Sequence, residues 1–202
     1  MAPNGREKGK LIDWSVARRY CFWCICIATF LAWLMPTGAA EHTAILGNET
    51  LSLNDVVVGE VKNGRAQLSL PGFVQVLGAP SRTDIHGQTQ RITWDNDAIQ
   101  LEATNPGGAP FAVLFNYTAP DAATQGIIPS GSYQGTFDSI GIKLRSSQPL
   151  PDQARVLTAA GFAEDPISAE TWSLRLAHWA VYLRFTRGVI DSVVIRILPD
   201  IY

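Results

Sequence analysis

Histidine is the side chain best suited to act as a general base near neutral pH, and the sequence contains three: His42, His86 and His178. A nucleophilic triad also needs a serine or cysteine and an orienting carboxylate. No Gly-x-Ser-x-Gly motif occurs, and the Pro-Ser-Gly setting of Ser130 is typical of a turn. The pattern therefore predicts no catalytic set. A hydrolase that depends on His86 or His178 is kept as an alternative.

Metal binding needs several ligands at a fixed spacing, and no such spacing is present. The densest oxygen cluster, Asp95-Asn96-Asp97, lacks the glycine and the distal glutamate of a calcium loop and fits a hairpin turn instead. Glu164 and Asp165 form a second carboxylate pair, but nothing in the sequence places it in a cleft. We predict a non-enzymatic protein with no metal and no cofactor.

The N-terminal 40 residues have the order of a secretory signal. Residues 1–19 are polar and basic, residues 20–35 are apolar and uncharged, and residues 38–40 are small. This order predicts a signal peptide cut before Glu41, and hence a periplasmic or secreted protein. An uncleaved anchor in the inner membrane is the alternative, in which case only residues 20–35 would contact the membrane.

All three cysteines, Cys21, Cys24 and Cys26, lie inside this apolar run, where they act as small apolar side chains rather than as metal or redox ligands. The chain from residue 41 onward has no cysteine, so its folding must rely on its core alone. That part has 16 acidic and 11 basic side chains, a net charge of −5. This balance argues against nucleic acid as a partner.

Most of residues 41–202 alternate between apolar and polar side chains in short runs bounded by turn residues, which predicts β-strands. Two segments, 69–78 and 150–161, have helical spacing with a glycine at the end. Residues 55–66 are ambiguous. The predicted strands are 43–46, 50–53, 90–95, 98–103, 111–118, 133–138, 140–145, 171–177, 179–186 and 189–197.

The order of elements then recurs along the chain. The glycine that ends the helix recurs after 83 residues, the tryptophan of the first strand after 78, and the apolar residue of the third strand after 80. The six marker residues are Gly78, Trp94, Phe115, Gly161, Trp172 and Ile195. We therefore predict an α+β fold of two tandem helix-plus-antiparallel-sheet units, with domains at 1–40 (signal peptide or anchor), 41–125 and 126–202.

Alternation also assigns side chains to the open face of the predicted sheet, opposite the helices. Six side chains that are polar or aromatic and are predicted to point outward are predicted to bind a partner there. They are Arg175, Tyr182, Arg184, Arg196, Arg91 and Gln100. Because tyrosine and arginine are enriched at energetic centres of interfaces, we predict one continuous docking surface for a protein partner. A solvated sheet face is the alternative.

The segments FVQVLGAPSRTD, RITWDNDAIQLEA and FAVLFNYT carry a resemblance to known proteins. Through Val74, Leu77, Gly78, Pro80 and Trp94 the chain resembles the SmpA/OmlA outer-membrane lipoproteins and the tandem repeats of β-lactamase inhibitor protein. The resemblance implies a helix followed by an antiparallel sheet with an aromatic side chain early in it. No lipobox precedes a cysteine, which departs from the lipoprotein family and favours the inhibitor-like function.

Together these features predict an exported protein-binding module, foremost an inhibitor or immunity protein that occludes an exported enzyme or toxin. The alternative is a cell-envelope assembly or scaffold protein. Retention of the apolar N-terminal segment would favour the scaffold, and its release would favour a diffusible inhibitor.

Overall fold

The structure is a computed structural model that describes residues 41–146, 149–150, 152–168 and 170–199. The predicted signal peptide or anchor at 1–40, including its cysteines, lies outside the described residues. Among the residues that the structure describes, no helix is long and apolar enough to cross a membrane.

The described chain contains fourteen strands and two short helices. The helices are α1 (Leu70–Leu77) and α2 (Gln153–Ala159). The strands are β1 (Thr43–Leu46), β2 (Thr50–Leu53), β3 (Val56–Lys62), β4 (Arg65–Leu68), β5 (Arg82–His86), β6 (Thr89–Trp94), β7 (Ile99–Thr104), β8 (Pro110–Asn116), β9 (Thr136–Ser139), β10 (Ile142–Arg145), β11 (Ala163–Glu164), β12 (Thr171–Arg175), β13 (Trp179–Thr186) and β14 (Val189–Ile197).

The strands form two sheets, and each sheet takes strands from both halves of the chain. One has six strands in the order β10-β9-β1-β2-β3-β4, all antiparallel except β1 and β9, which run parallel with Thr43 opposite Thr136. The other has eight antiparallel strands in the order β5-β6-β7-β8-β14-β13-β12-β11. Its two four-strand runs join where β8 pairs with β14, with Phe115 opposite Val193.

The two sheets pack face to face over one hydrophobic core. Phe115 of the eight-stranded sheet and Phe137 of the six-stranded sheet meet across it, with ring centroids 6.2 Å apart. Gly59 of β3 allows this close approach, because a Cβ there would lie 3.2 Å from Cη2 of Trp179. The outward side of the eight-stranded sheet is thereby left to face solvent or other segments.

Ser69 caps the N-terminus of helix α1, because its hydroxyl accepts a hydrogen bond from the Gly72 backbone N–H at 3.1 Å. It ends at Gly78, whose φ of 77° favours glycine. The Trp94 indole N–H donates to the Gly78 carbonyl at 2.9 Å, and its ring packs against Phe73. This contact explains physically why a helix-end glycine and a tryptophan on β6 occur together.

The predicted fold class is wrong. The described chain is mostly β-sheet, and its two helices have only eight and seven residues, so they cannot each cover a sheet. The prediction failed for two reasons: it left residues 55–66 unassigned, although they form most of the β3–β4 hairpin, and it did not anticipate strand pairing between the halves. A β-sandwich buries each sheet against the other, without the helices.

Candidate partner-binding surface

The outward side of β12, β13 and β14 is open. On β13, Tyr182 and Arg184 are exposed while Leu183 between them is fully buried, as strand alternation predicts. Arg175 on β12 and Arg196 on β14 are exposed on the same side. We refer to Arg175, Tyr182, Arg184 and Arg196 together as the arginine face.

Strand register fixes how these four side chains are arranged. Ala180 of β13 lies opposite both Arg175 and Arg196, so these two arginines flank an alanine. Tyr182 follows on the same strand, and the Arg196 guanidinium carbon lies 6.0 Å from its ring centroid. The remaining neighbours opposite Tyr182 and Arg184 are small side chains. They are Ser173, Val194, Thr171 and Ser192.

The charges of the arginine face are partly compensated. Arg184 forms a long ion pair with Asp191, with Nε 3.7 Å from Oδ2, although the Arg184 side chain is 66% exposed. Asp191 Oδ2 also accepts a hydrogen bond from the Thr186 hydroxyl at 2.8 Å. In the described part of the chain, neither Arg175 nor Arg196 has a carboxylate within salt-bridge distance. Arg175 and Arg196 can therefore offer their guanidinium groups to an acidic partner, whereas Arg184 would share its group with Asp191.

The other half of the same outward side is covered by residues 118–131, the covering segment. Arg82 of β5 holds it, since its Nη1 donates to the Gly126 carbonyl at 2.9 Å and its Nη2 to the Ile128 carbonyl at 3.0 Å. The predicted partner-binding residue Gln100 lies beneath it, only 2% exposed, with its amide 3.4 Å from the Ile127 carbonyl. The structure therefore does not bring Gln100 to the surface beside the arginine face.

The sixth predicted residue, Arg91, lies on β6. Its Nε is 3.6 Å from Glu102 Oε1. In the register it shares a row with Glu102, Ala112 and Arg196, which places it three strands, about 14 Å, from Arg196. Arg91 is thus on the same side of the sheet but apart from the arginine face.

Asp95 also holds the covering segment, and we refer to Arg82 and Asp95 together as the clasp. Its Oδ1 accepts from the Ser130 backbone N–H at 2.8 Å and its Oδ2 from Arg82 Nε at 3.1 Å. Burial raises the pKa of Asp95, but the hydrogen bonds from Ser130 and Arg82 outweigh it and hold the pKa below its usual value. Sequence reasoning missed both Arg82 and this role of Asp95, since neither has a local pattern.

This lowered pKa predicts an acid-sensitive contribution to stability. Since the folded-state pKa lies below the unfolded value of about 3.9, the contribution is full above pH 4 and is lost as the pH falls through the folded-state pKa. In urea denaturation, Asp95→Asn should be less stable than the wild type at pH 7, and the two should converge below pH 4. A gap that persists unchanged at low pH would contradict this.

The three histidines lie on separate elements and do not meet in one site. Both ring nitrogens of buried His42 are engaged: Asn54 Nδ2 lies 2.8 Å from Nδ1, and Asp97 Oδ1 lies 2.9 Å from Nε2. The Thr43 N–H donates to Asn54 Oδ1, which orients the amide so that its Nδ2 donates and the His42 proton resides on Nε2. His86 is exposed in β5, and His178 precedes β13.

In the described ranges, no three His, Cys, Asp or Glu side chains are grouped as metal ligands. Ser130 is a turn residue whose backbone N–H donates a hydrogen bond to Asp95. Comparison with protein-family models, with curated proteins and with solved structures finds no match to this chain. The resemblance to the SmpA/OmlA lipoproteins and to β-lactamase inhibitor protein therefore stays a prediction.

Proposed function

We propose that the protein is an exported, non-enzymatic binding protein, foremost an inhibitor or immunity protein that occludes a partner enzyme or toxin. The observation that carries this proposal is the arginine face, with Tyr182 between exposed guanidinium groups. Arginine and tyrosine concentrate binding energy at interfaces because both combine apolar area with directional donors. The small neighbouring side chains leave room for a partner to approach the sheet closely.

The mechanism is steric occlusion guided by charge. The chain from residue 41 to residue 202 has a net charge of −5, so the arginine face is a local positive region on an acidic protein. Such a region favours approach by an acidic surface in one orientation. Carboxylates of the partner would accept hydrogen bonds from Arg175, Arg184 and Arg196, which places the sheet over its functional cleft.

Reversing two charges of this face should abolish capture of the partner. With the full-length chain as immobilised bait, Arg184→Glu together with Arg196→Glu should weaken binding by about 100-fold or more, because both side chains are exposed on this face beside Tyr182. The measurement is the dissociation constant of the protein retained by the wild type, with its own activity assayed in the presence of the full-length chain.

Lys143→Glu with Arg145→Glu is the matched control. These two side chains are exposed on β10, at the edge of the six-stranded sheet, so the variant has the same charge change on a different surface. It should bind like the wild type. Equal loss in both double variants would show that only net charge matters, and no loss in the first would remove the arginine face as the binding surface.

The second candidate function is cell-envelope assembly or scaffolding. The helix-end glycine and the tryptophan that donates to it, Gly78 and Trp94, are the residues of the lipoprotein resemblance, and they support this candidate. It predicts that the wild-type bait retains several envelope proteins rather than one stoichiometric enzyme. An inhibitor predicts one retained protein whose activity falls at equal molar amounts of the two chains.

A further inference from the structure

One row of side chains runs across the outward side of the eight-stranded sheet, from β5 to β12. Residues that lie directly opposite each other on neighbouring antiparallel strands point to the same side of a sheet. The register places seven residues in this row: Arg82, Thr93, Gln100, Leu114, Val194, Tyr182 and Ser173. The arginine face is therefore one end of a longer row, and the other end lies under the covering segment.

Residues 126–128 of the covering segment cross this row above Thr93. On one side of Thr93, Arg82 donates to the carbonyls of Gly126 and Ile128. On the other side, the Gln100 amide lies 3.4 Å from the Ile127 carbonyl. Thr93, which lies between Arg82 and Gln100 in the register, is 0% exposed. The covering segment thus closes over the Thr93 side chain.

The polar side chains under the covering segment are poorly matched to it. The Thr93 hydroxyl is buried and has no hydrogen-bond partner among the described residues. The 3.4 Å contact of Gln100 is longer than an ordinary hydrogen bond. A buried polar group without a partner costs stability, and native proteins contain few of them. Thr93 and Gln100 therefore keep hydrogen-bonding capacity that the covering segment does not use.

The covering segment is itself lightly held. Pro129 is its only buried residue. Apart from the Gly131 N–H, which donates to the Asp95 carbonyl, its backbone–backbone hydrogen bonds in the described chain join residues of the segment to one another. The clasp supplies the side-chain bonds that hold it to the sheet. Segments with few buried apolar contacts open at a low free-energy cost, without unfolding of the core.

The arginine face alone is small for a stable complex. It spans three strands, about 10 Å, and extends about 15 Å along β13, which gives a flat area of about 150 Å². A stable interface buries about 800 Å² on each partner. Continuing the row to β6 adds three strands and more than doubles the width of the available sheet surface. The covered part of the row is the continuous extension that the sheet offers.

We propose that the covering segment occupies the place of a loop of the partner protein, which displaces it and docks on the row from Thr93 to Tyr182. An extended loop would offer Arg82 backbone carbonyls in place of those of Gly126 and Ile128. Its backbone N–H groups would supply the donor that the Thr93 hydroxyl oxygen lacks. Acidic groups beside the loop would meet the arginine face. That the loop belongs to a protein partner rests on the proposed function.

Cysteine labelling tests opening of the covering segment without any partner. Thr93→Cys replaces a hydroxyl that has no hydrogen-bond partner among the described residues, and Ser139→Cys does the same at an inward position of the other sheet. Both full-length variants are treated with iodoacetamide, and mass spectrometry locates the label. We expect Thr93→Cys to react at least about 100-fold faster, because Ser139 becomes accessible only on unfolding. Equal rates would overturn the proposal.

A strained glycine position allows the closed segment to be destabilised directly. Gly126 has a φ of 80° and open space around an added Cβ, so Gly126→Ala strains the closed backbone without a clash. It should speed labelling of Thr93→Cys by about tenfold. Gly141→Ala is the matched control, since Gly141 has a φ of 79° and equally open space in the turn between β9 and β10. Equal labelling rates in the two backgrounds would overturn the proposal.

The same pair of glycine variants tests the docking role. A partner that binds only the open form should bind Gly126→Ala about tenfold more tightly than the wild type, because more of the protein is already open. Gly141→Ala should bind like the wild type. Weaker or unchanged binding to Gly126→Ala would overturn the proposal, since the covering segment would then be part of the interface or remain in place.

Failure of this proposal can be told apart from failure of the proposed function. Capture that is lost on reversing Arg184 and Arg196 but is not tightened by Gly126→Ala would keep the binding protein and remove the covered row from its interface. Fast labelling of Thr93→Cys without any captured partner would show a segment that opens with no docking role, and would overturn both.

Discussion

Replacing Gly135 by alanine should destabilise the protein by about 3 kcal/mol or more, at the upper end of the usual cost of overpacking. A Cβ at this position would overlap the backbone oxygen of His42 and lie 2.6 Å from Cζ of Tyr133. That oxygen cannot move freely, because it accepts from the Thr136 N–H at 2.9 Å and from the Tyr133 hydroxyl at 2.7 Å. The substitution must therefore disturb the start of the β1–β9 pairing.

Urea denaturation of the full-length chain measures this loss, and Gly47→Ala is its control. Gly47 lies in the turn between β1 and β2, where the nearest atoms to an added Cβ are 3.7 Å away, an ordinary contact. This variant should stay within about 0.5 kcal/mol of the wild type. If Gly135→Ala were equally mild, the close approach of the two strands at His42 would be wrong.

Replacing Arg82 by methionine should release the covering segment from the sheet. The change keeps most of the apolar stem but removes both bonds to segment carbonyls and leaves Asp95 and Asp84 without their guanidinium partner. Each hydrogen bond from a charged group contributes about 1.5–3 kcal/mol, so the opened population should rise at least about tenfold.

Thermolysin cleavage before Ile127 reports this opening, since that side chain is already 43% exposed and needs only a loosened backbone. Arg91→Met is the matched control, because it removes an arginine from the neighbouring strand whose ion pair, among the described residues, is with Glu102. Equal cleavage rates in the two variants would show that Arg82 does not hold the segment. Faster cleavage in Arg82→Met alone would also mean that opening exposes Gln100.

Local patterns predicted the strands well, because alternation depends only on which side of each strand is buried. Strands β1, β2, β13 and β14 begin and end where predicted. The two residues between the predicted strands 179–186 and 189–197 are Arg187 and Gly188, and their φ values of 54° and 79° are those that a tight hairpin turn requires. Alternation likewise placed Tyr182 and Arg184 outward.

A second local signal was present but went unused. Asn63 and Gly64 separate β3 from β4 and have positive φ values of 51° and 75°. An Asn-Gly pair between two short apolar runs is a strong hairpin signal and would have resolved residues 55–66. With β3 and β4 assigned, the predominance of strands would have argued against helix-plus-sheet units.

The features that the sequence did not predict depend on contacts between residues that are distant in sequence. Arg82 binds carbonyls 44 and 46 residues further along the chain, and no periodicity encodes such a pairing. The same is true of the covering segment, whose Pro- and Gly-containing sequence predicts only a loop. The outward position of the arginine face was therefore accessible to sequence reasoning, but the burial of Gln100 was not.

The parallel pairing of β1 with β9 has a consequence for how the chain must be made. β1 is the first described strand, yet it lies inside its sheet, and its partner Thr136 follows Thr43 by 93 residues. During synthesis one edge of β1 stays unpaired until β9 has emerged, and pairing between strands so distant in sequence makes folding slow. The first half of the chain alone can complete neither sheet. Chaperones that keep it unfolded until about residue 139 has emerged would therefore raise its yield.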